Sequence, residues 1–322
     1  MLLRAYLYDG EGADGEVELN EALIGGLQDH QLLWVDVQGM ARGDLSRLSK
    51  LFDWHSDTIY NLLQPRRAPR IEYFSSYAQA SVDAIHEEDK AYRVSTLHFI
   101  IGKNYVLTAH EQEIALLKSF ANRIREDSDL GHLDSPELFA SLLDWHLTDY
   151  FRVVDRLEME VDRMDEQALR LRADDALLAD MVAMRRRVAR VRRALTPHRE
   201  VFSALARPEF MQIASAESAP HFRDLNDRLE RAIDAVENAR ELLIGSFDIY
   251  MTQTTRKTNE IVKTLTLFSV PFFIANLVTG LMGMNFKVGI YEAGPAGFYG
   301  VLAFIAITSG VIFAVARWKR WV

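Results

Sequence analysis

The sequence contains no cysteine, which excludes a disulfide framework, a thiolate zinc site and a cysteine nucleophile. It has no glycine-rich phosphate loop either, so ATP drive is not expected. Its nine histidines show neither His-x-x-x-His nor His-Glu-x-x-His spacing, and a structural zinc site is unsupported. Positive charge is in deficit: 46 Asp and Glu against 37 Lys and Arg give a net charge of −9, the wrong sign for a protein that wraps nucleic acid. No nucleophile and base can be picked out together, so the chain does not read as an enzyme.

Charge is also missing locally. It is dense as far as Lys263 and almost vanishes afterwards, and residues 264–286 and 293–316 carry no charged side chain at all. At about 1.5 Å per residue the first stretch reaches roughly 35 Å, enough for a hydrocarbon core of about 30 Å. Only Lys287 to Glu292 separates the two, which predicts a tight helical hairpin in the bilayer. A secretory signal is not expected, because the apolar segments are C-terminal and the start, MLLRAYLYDGEG, soon turns acidic. Arg256, Lys257 and Lys263 flank the first span and Arg317, Lys319 and Arg320 follow the second, while the connecting loop has one lysine. The positive-inside rule then puts both termini in the cytoplasm of a protein of the cell (inner) membrane, with Trp318 and Trp321 as inner interface anchors.

Upstream, residues 1–134 read as a cytoplasmic α/β domain. LLRAYLY, LLWVDV, YAQASVDAI, LHFIIG and NYVLTAH read as strands, and DLSRLSKLF and SDTIYNLL as helices, with PRRAP as a turn or linker. Ser135-Pro136-Glu137 is a helix start. Residues 135–219 read as antiparallel stalk helices with a break near Ala173-Asp174 and helical period to about Ala206. From Pro220 no strong stop occurs before Pro271, so 220–263 is the cytoplasmic part of one long helix that continues into the first transmembrane helix, 264–286. Residues 287–295 are then an external loop, 296–316 the second transmembrane helix and 317–322 a basic tail. The fold class is an α+β domain followed by long stalk helices and two C-terminal membrane helices. Along the long helix, Leu225, Leu229, Ala232, Val236, Ala239, Leu243, Ser246 and Tyr250 form a packing seam.

A hairpin that only anchors needs no polar residues in its first span. Steps of four and three from Asp248 nevertheless give Thr252, Thr255, Asn259, Val262, Thr266, Ser269, Phe273, Asn276, Gly280 and Gly283. Small and hydroxyl residues also serve close helix packing in membranes. The two asparagines go further, because an amide near the membrane needs a partner, and water or a hydrated ion in a lumen is one. A lone helix encloses no lumen, so this stripe calls for an oligomer.

Gly283-Met284-Asn285 closes the first of two C-terminal spans, after a long helix and an N-terminal α/β domain. In this, the chain resembles the CorA superfamily of divalent-cation transporters, which includes the zinc-transporting ZntB branch. FIIGKNYVLTAHE resembles the family's last cytoplasmic strands, and MRRRVARVRRALTPHREVFSAL its second stalk helix. The resemblance implies a homopentamer, a selectivity filter at Gly283, Met284 and Asn285, and a pore lined by Asn259, Val262, Thr266, Ser269, Phe273, Asn276 and Gly280. No cofactor is implied beyond transported or regulatory divalent cations, Mg²⁺ or Zn²⁺ with Co²⁺ and Ni²⁺ as further cargo. Val262 and Phe273 are the apolar positions at which the pore would constrict. The external loop KVGIYEAGPAG has Glu292 as its only acid to attract cations, where the family often carries an acidic, proline-containing motif. That departure leans toward the zinc branch.

Below Asp248 the same register gives Gly245, Glu241, Asn238, Asp234, Arg231, Asp227 and Asp224. Asp248, at the cytoplasmic mouth, together with Glu241 and Asp224 would concentrate cations or hold a regulatory Mg²⁺ between subunits. The basic run Arg185, Arg186, Arg187, Arg190, Arg192 and Arg193 reads as a solvated or ion-paired face, with Asp155, Glu158, Glu160, Asp162, Asp165 and Glu166 as partners across a hairpin. A second functional reading is a membrane-anchored cytoplasmic scaffold or receptor that uses the hairpin only as a tether. It predicts that the polar residues of the first span tolerate leucine.

Overall fold

The computed structural model describes residues 2–12, 14–64, 68–88, 91–124, 134–169, 175–207, 210, 218–284 and 294–319. The chain divides into two units, Met1–Glu166 with Asp175–Gly245, and Gln167–Asp174 with Ser246–Val322.

The first unit is organised by the strands with the densest apolar runs. β1 (Leu2–Asp9) is followed by the two-residue β2 (Gly15–Glu16), the short helix α1 (Glu21–Gly25) and β3 (Gln31–Gln38). Then come α2 (Arg42–Leu51), α3 (Ser56–Leu63), β4 (Arg70–Tyr73), β5 (Ala78–Glu88), β6 (Ala91–Ile101) and β7 (Tyr105–His110). They form one seven-stranded sheet in the order β2-β1-β3-β7-β6-β5-β4. Only β3 and β7 pair in parallel, with Asp36 opposite Thr108 and Gln38 opposite His110. Strand alternation sends Leu33, Val35, Val37, Leu107 and Ala109 to one face, where they join Leu45, Leu48, Phe52, Trp54 and Leu62 from α2, α3 and the link between them. Trp34, Asp36, Thr108 and His110 point to the other face. There Phe120 of α4 (Ala115–Ile124) packs edge-on to Trp34, ring centroids 5.5 Å apart.

The sequence reading passed over β2 and β4. Neither has an apolar run; Arg70-Ile71-Glu72-Tyr73 becomes a strand because β5 offers it a free edge, with Arg70 paired to Ser81 and Tyr73 to Ala78.

α5 (Ser135–Leu169) begins where Ser135-Pro136-Glu137 predicted, but its cap is one residue earlier. The Glu137 amide donates to Asp134 Oδ1 at 2.8 Å and the Asp134 amide to Glu137 Oε2 at 3.3 Å, a reciprocal capping box. The Ser135 hydroxyl instead donates to the carbonyls of Gly102 and Lys103, which fastens the helix to the β6–β7 turn. The expected helical run to Ala206 is interrupted once more: α6 (Asp175–Leu195) stops before Thr196-Pro197 and α7 (His198–Leu205) follows. Pro197 has no N–H to continue the ladder.

α8 (Ala219–Met282) is a single helix of 64 residues, about 96 Å long. Leu225, Leu229, Ala232, Val236, Ala239, Leu243, Ser246 and Tyr250 are all buried, so the heptad-like seam is the face by which this helix packs within its own chain.

Two of the six arginines in the α6 run, Arg187 and Arg192, form ion pairs among the described residues. Arg187 pairs with Glu160 of α5 and with Glu87 of β5, and donates to the Tyr92 hydroxyl at 3.0 Å. Arg190 donates to the Tyr92 carbonyl, and Arg192 pairs with Glu237 of α8 rather than with the α5 acids. A solvated basic stripe is not what these three arginines form.

In the second unit, the C-terminal part of α8 and the helix α9 (Pro295–Trp318) are each long and apolar enough to cross a membrane. Pro271 lies inside α8, and Pro295 takes the first turn of α9, where a missing N–H costs nothing.

Candidate functional site

The face of α8 opposite its buried seam carries the residues singled out by the sequence. Asp224, Asp227, Asp234, Glu241 and Asp248 are exposed, and so are Thr252, Thr255, Asn259, Val262, Ser269, Phe273, Asn276, Gly280, Gly283 and Met284, with Thr266 half-buried.

The acids of α8 divide by face. Glu230 meets Arg199 through bonds of 2.6 to 3.0 Å, and Glu237 meets Arg192 and Arg240. Asp224, Asp227, Glu241 and Asp248 have no ion pair or hydrogen bond to their side chains among the described residues. These four unpaired acids therefore share one stripe, which also carries Arg231. Within one chain these acids do not converge: Asp224 and Glu241 are about 25 Å apart along the axis, and Asp248 about 10 Å further. An open groove of about 260 Å³ beside Asp224 is lined by Glu137, Asp144, Trp145 and His221. Glu137 is engaged in the capping box and Asp144 in an ion pair with Arg228. No group of three metal-ligating side chains occurs among the described residues.

Higher on the helix the hydroxyls share one arrangement. Thr252 donates to the Asp248 carbonyl at 2.8 Å, Thr255 to Met251 at 2.9 Å and Thr266 to Val262 at 2.8 Å. Each hydroxyl spends its one proton on its own helix, and its oxygen can then only accept. Asn259 and Asn276 have no hydrogen-bond partner for their amide groups among the described residues. A Cβ built on Gly280 would meet nothing within 4 Å, and one on Gly283 would make only ordinary contacts of 3.5 Å with the Gly280 and Thr279 carbonyls. Nothing in the described chain demands glycine at these places.

α8 ends one residue before Gly283, whose amide still donates to the Thr279 carbonyl at 2.9 Å, while that of Met284 donates to Leu281 at 3.2 Å. Asn285 and Glu292 lie outside the described residues, as do Trp321 and the residues of the expected external loop before Gly294.

Two clusters in the α/β unit were not found from the sequence. Asp36, Thr108 and His110 come together on the second face of the sheet; a lone acid inside the apolar run LLWVDV was the available signal. His146 of α5 and His198 at the start of α7 face each other with Nε2 atoms 3.2 Å apart, 52 positions apart in sequence. His198 Nδ1 donates to the Leu195 carbonyl, its Nε2 accepts from the Asp83 amide at 3.0 Å, and the Tyr150 hydroxyl donates to the Asp83 carbonyl at 2.7 Å. Burial holds His198 down to about 4 and His146 well below the ordinary value, so both are neutral. Only the three-dimensional fold brings these residues together.

An α/β unit, a helix of 64 residues with an apolar C-terminal part and a second apolar helix are, by comparison with relatives, the parts of a membrane transport protein rather than an enzyme. Residues 29–318 match the family described as CorA-like Mg²⁺ transporter protein. The chain belongs to this family of divalent-cation transporters. It is 25% identical over 292 residues to the cobalt/magnesium transport protein CorA of Thermotoga maritima, covering 89% of this chain and 83% of that one. To the protein of the same name from Methanocaldococcus jannaschii it is 24% identical, covering 97% of each. The solved structure of the CorA magnesium transporter from Methanocaldococcus jannaschii superposes over 100% of this chain and 99% of its own with a TM-score of 0.84 at 22% identity, and that of full-length CmaX over 96% and 97% with a TM-score of 0.74 at 19% identity. These two likenesses establish the fold.

Proposed function

We propose that the protein is a homopentameric channel of the cell (inner) membrane, with both termini cytoplasmic, that passes hydrated divalent cations along a lumen lined by five copies of α8. The observation that carries this reading is the stripe on the free face of α8, with its acceptor-only threonines, unpartnered amides and glycines that have room around them. In a single copy the part of this surface within 264–286 would meet lipid, where the unsatisfied amide of Asn276 costs several kcal/mol. Around a common axis it meets water.

Mg²⁺ gives up its waters reluctantly, so capture of the hydrated ion is cheaper than a dehydrating cage. Waters bound to a cation point their hydrogens outward and need acceptors. Thr252, Thr255 and Thr266 supply hydroxyl oxygens, Asn259 and Asn276 supply amide oxygens, and a ring of Asn285 carbonyls at the Gly283-Met284-Asn285 filter supplies the narrowest set. Gly280 and Gly283 let the five helices approach. Val262 and Phe273 form the apolar constrictions that dewet when the pore is shut. Asp248, Glu241 and Asp224 concentrate cations at the cytoplasmic mouth and along the stalk, Asp224 across a subunit boundary, and Glu292 does so outside. Ile244, Phe247 and Met251, exposed and apolar, flank the acidic stripe where an adjacent copy of α8 would pack. Mg²⁺ and Co²⁺ are the cargo favoured by the names of the two curated relatives; Zn²⁺, to which the external loop pointed, and Ni²⁺ are the comparison ions.

The test is flux into proteoliposomes with Mg²⁺, Co²⁺, Zn²⁺ and Ni²⁺ side by side, for the wild type and Asn285→Ala. The variant should stay folded and pentameric and lose transport. Wild-type flux in Asn285→Ala would overturn the filter assignment.

A further inference from the structure

His110 is buried at the end of β7 with an acceptor at each ring nitrogen. Its Nδ1 lies 2.6 Å from the carbonyl oxygen of Gln112, and its Nε2 lies 3.1 Å from Asp36 Oδ1. The same carboxylate oxygen accepts from the Thr108 hydroxyl at 2.6 Å, which in turn accepts from the Trp34 indole at 3.2 Å. A neutral imidazole has one N–H and cannot donate to both neighbours. Both bonds coexist only while the Asp36–His110 pair holds one proton, whether as imidazolium against carboxylate or as neutral imidazole accepting from a protonated Asp36. Loss of that proton leaves one N–H, which the charged Asp36 carboxylate holds more strongly than a neutral carbonyl does, so the bond deleted is that to Gln112.

The pair is not sealed. A cavity of about 40 Å³, room for a water or two, adjoins it and is lined by Arg4 of β1, Glu113 of the link after β7 and Lys118 of α4. A proton therefore has a polar route to and from the pair, which the fully buried His146–His198 pair lacks. The remaining charged or titratable neighbours are Tyr6 of β1, which also lines the cavity, Glu111 and, more distantly, His86 of β5. Burial opposes the charge on His110, but the hydrogen bond and charge of Asp36, the Gln112 carbonyl and Glu111 outweigh it and raise His110 above its ordinary value of 6.5.

We propose that Asp36 and His110 form a proton-operated latch on the connection between β7 and α4. With the proton in place the imidazole ties the Gln112 carbonyl, three residues before α4, to the sheet. Without it the connection is released, and α4 is held by its buried Leu116, Leu117 and Phe120, the last between Trp34 and Trp145 at 5.5 and 5.8 Å. The latch is independent of the transport reading. The sign follows from a raised histidine: the stabilisation is complete below 6.5 and is lost as pH rises through the higher value of the folded protein.

Hydrogen exchange by mass spectrometry on the full-length protein in detergent, from pH 6 to 8.5 and corrected for intrinsic base catalysis, tests the proposal. Protection of peptides covering 111–122 should fall by up to about tenfold per pH unit above one transition, while the β5–β6 peptides stay unchanged. His110→Gln should flatten the dependence. Asp36→Asn keeps an acceptor of the same shape without its charge and should lower the transition by about one pH unit or more. Protection of 111–122 independent of pH in the wild type, a dependence retained in His110→Gln, or an unmoved transition in Asp36→Asn would each overturn the latch.

Discussion

Single side chains on α8 do two different jobs with similar chemistry. Thr266 satisfies its own donor within the helix, so its replacement by valine removes an acceptor from the lumen and leaves the fold almost untouched. Asn276 has no such internal use. Asn276→Leu should therefore reduce flux severely without shifting the thermal midpoint, whereas the scaffold reading predicts a tolerated substitution in a protein with no flux to lose. Radiotracer or fluorescent-dye uptake measured beside a thermal scan separates the two. In the α/β unit the buried His198 gives a prediction on the acid side. Burial depresses it from 6.5 to about 4, so its stabilising neutrality is intact above 6.5 and is lost as pH falls toward 4. At pH 5 this amounts to about 2 kcal/mol. Chemical denaturation at pH 7 and pH 5 should show wild type losing more stability than His198→Gln by about that amount; equal losses would refute the assignment.

At the scale of elements, α8 was the most legible part of the chain. Its apolar residues recur at steps of three and four without a breaker, and every position of the seam from Leu225 to Tyr250 is buried. Leu229→Ala should cost about 2–5 kcal/mol, whereas Asp227→Ala on the opposite face should cost under about 0.5 kcal/mol; denaturant midpoints for the two variants decide. The strands with apolar runs were equally readable, because β3 and β7 are buried on both faces. What could not be read depended on partners distant in sequence. β4 is a strand because β5 leaves an edge, and α7 is separate because Pro197 falls where the Leu/Arg period would have carried a helix through. The capping box at Asp134 was visible as Asp-x-x-Glu but was read one residue late. The arginine run of α6 looked like half of a hairpin with α5, and only its Glu160 contact is of that kind among the described residues; α8, β5 and β6 supply the others. Of the candidate site, the stripe could be read as a periodicity, while the commitment of its hydroxyls to backbone carbonyls could not, since that depends on rotamers.

For the whole molecule the decisive property is assembly. A pore on this stripe requires several copies around an axis, so under the proposed function mass measurement in mild detergent should give five copies and reporter fusions at residues 1 and 322 should both read inside. A monomer, or an external signal from either end, would contradict the pore. Mg²⁺ bound between subunits at Asp224 should slow proteolysis of the cytoplasmic region in the wild type and leave Asp224→Lys unaffected; equal protection of both would remove Asp224 from any regulatory role. The threonines have one consequence beyond cation passage. Relay of a proton along a file of hydroxyls requires each to hand on its hydrogen and turn to receive the next, but Thr252, Thr255 and Thr266 keep theirs in bonds of 2.8 to 2.9 Å to the helix backbone. A lumen lined in this way would offer no hydroxyl relay of its own, so any proton crossing the proposed pore would have to travel through the water that fills it.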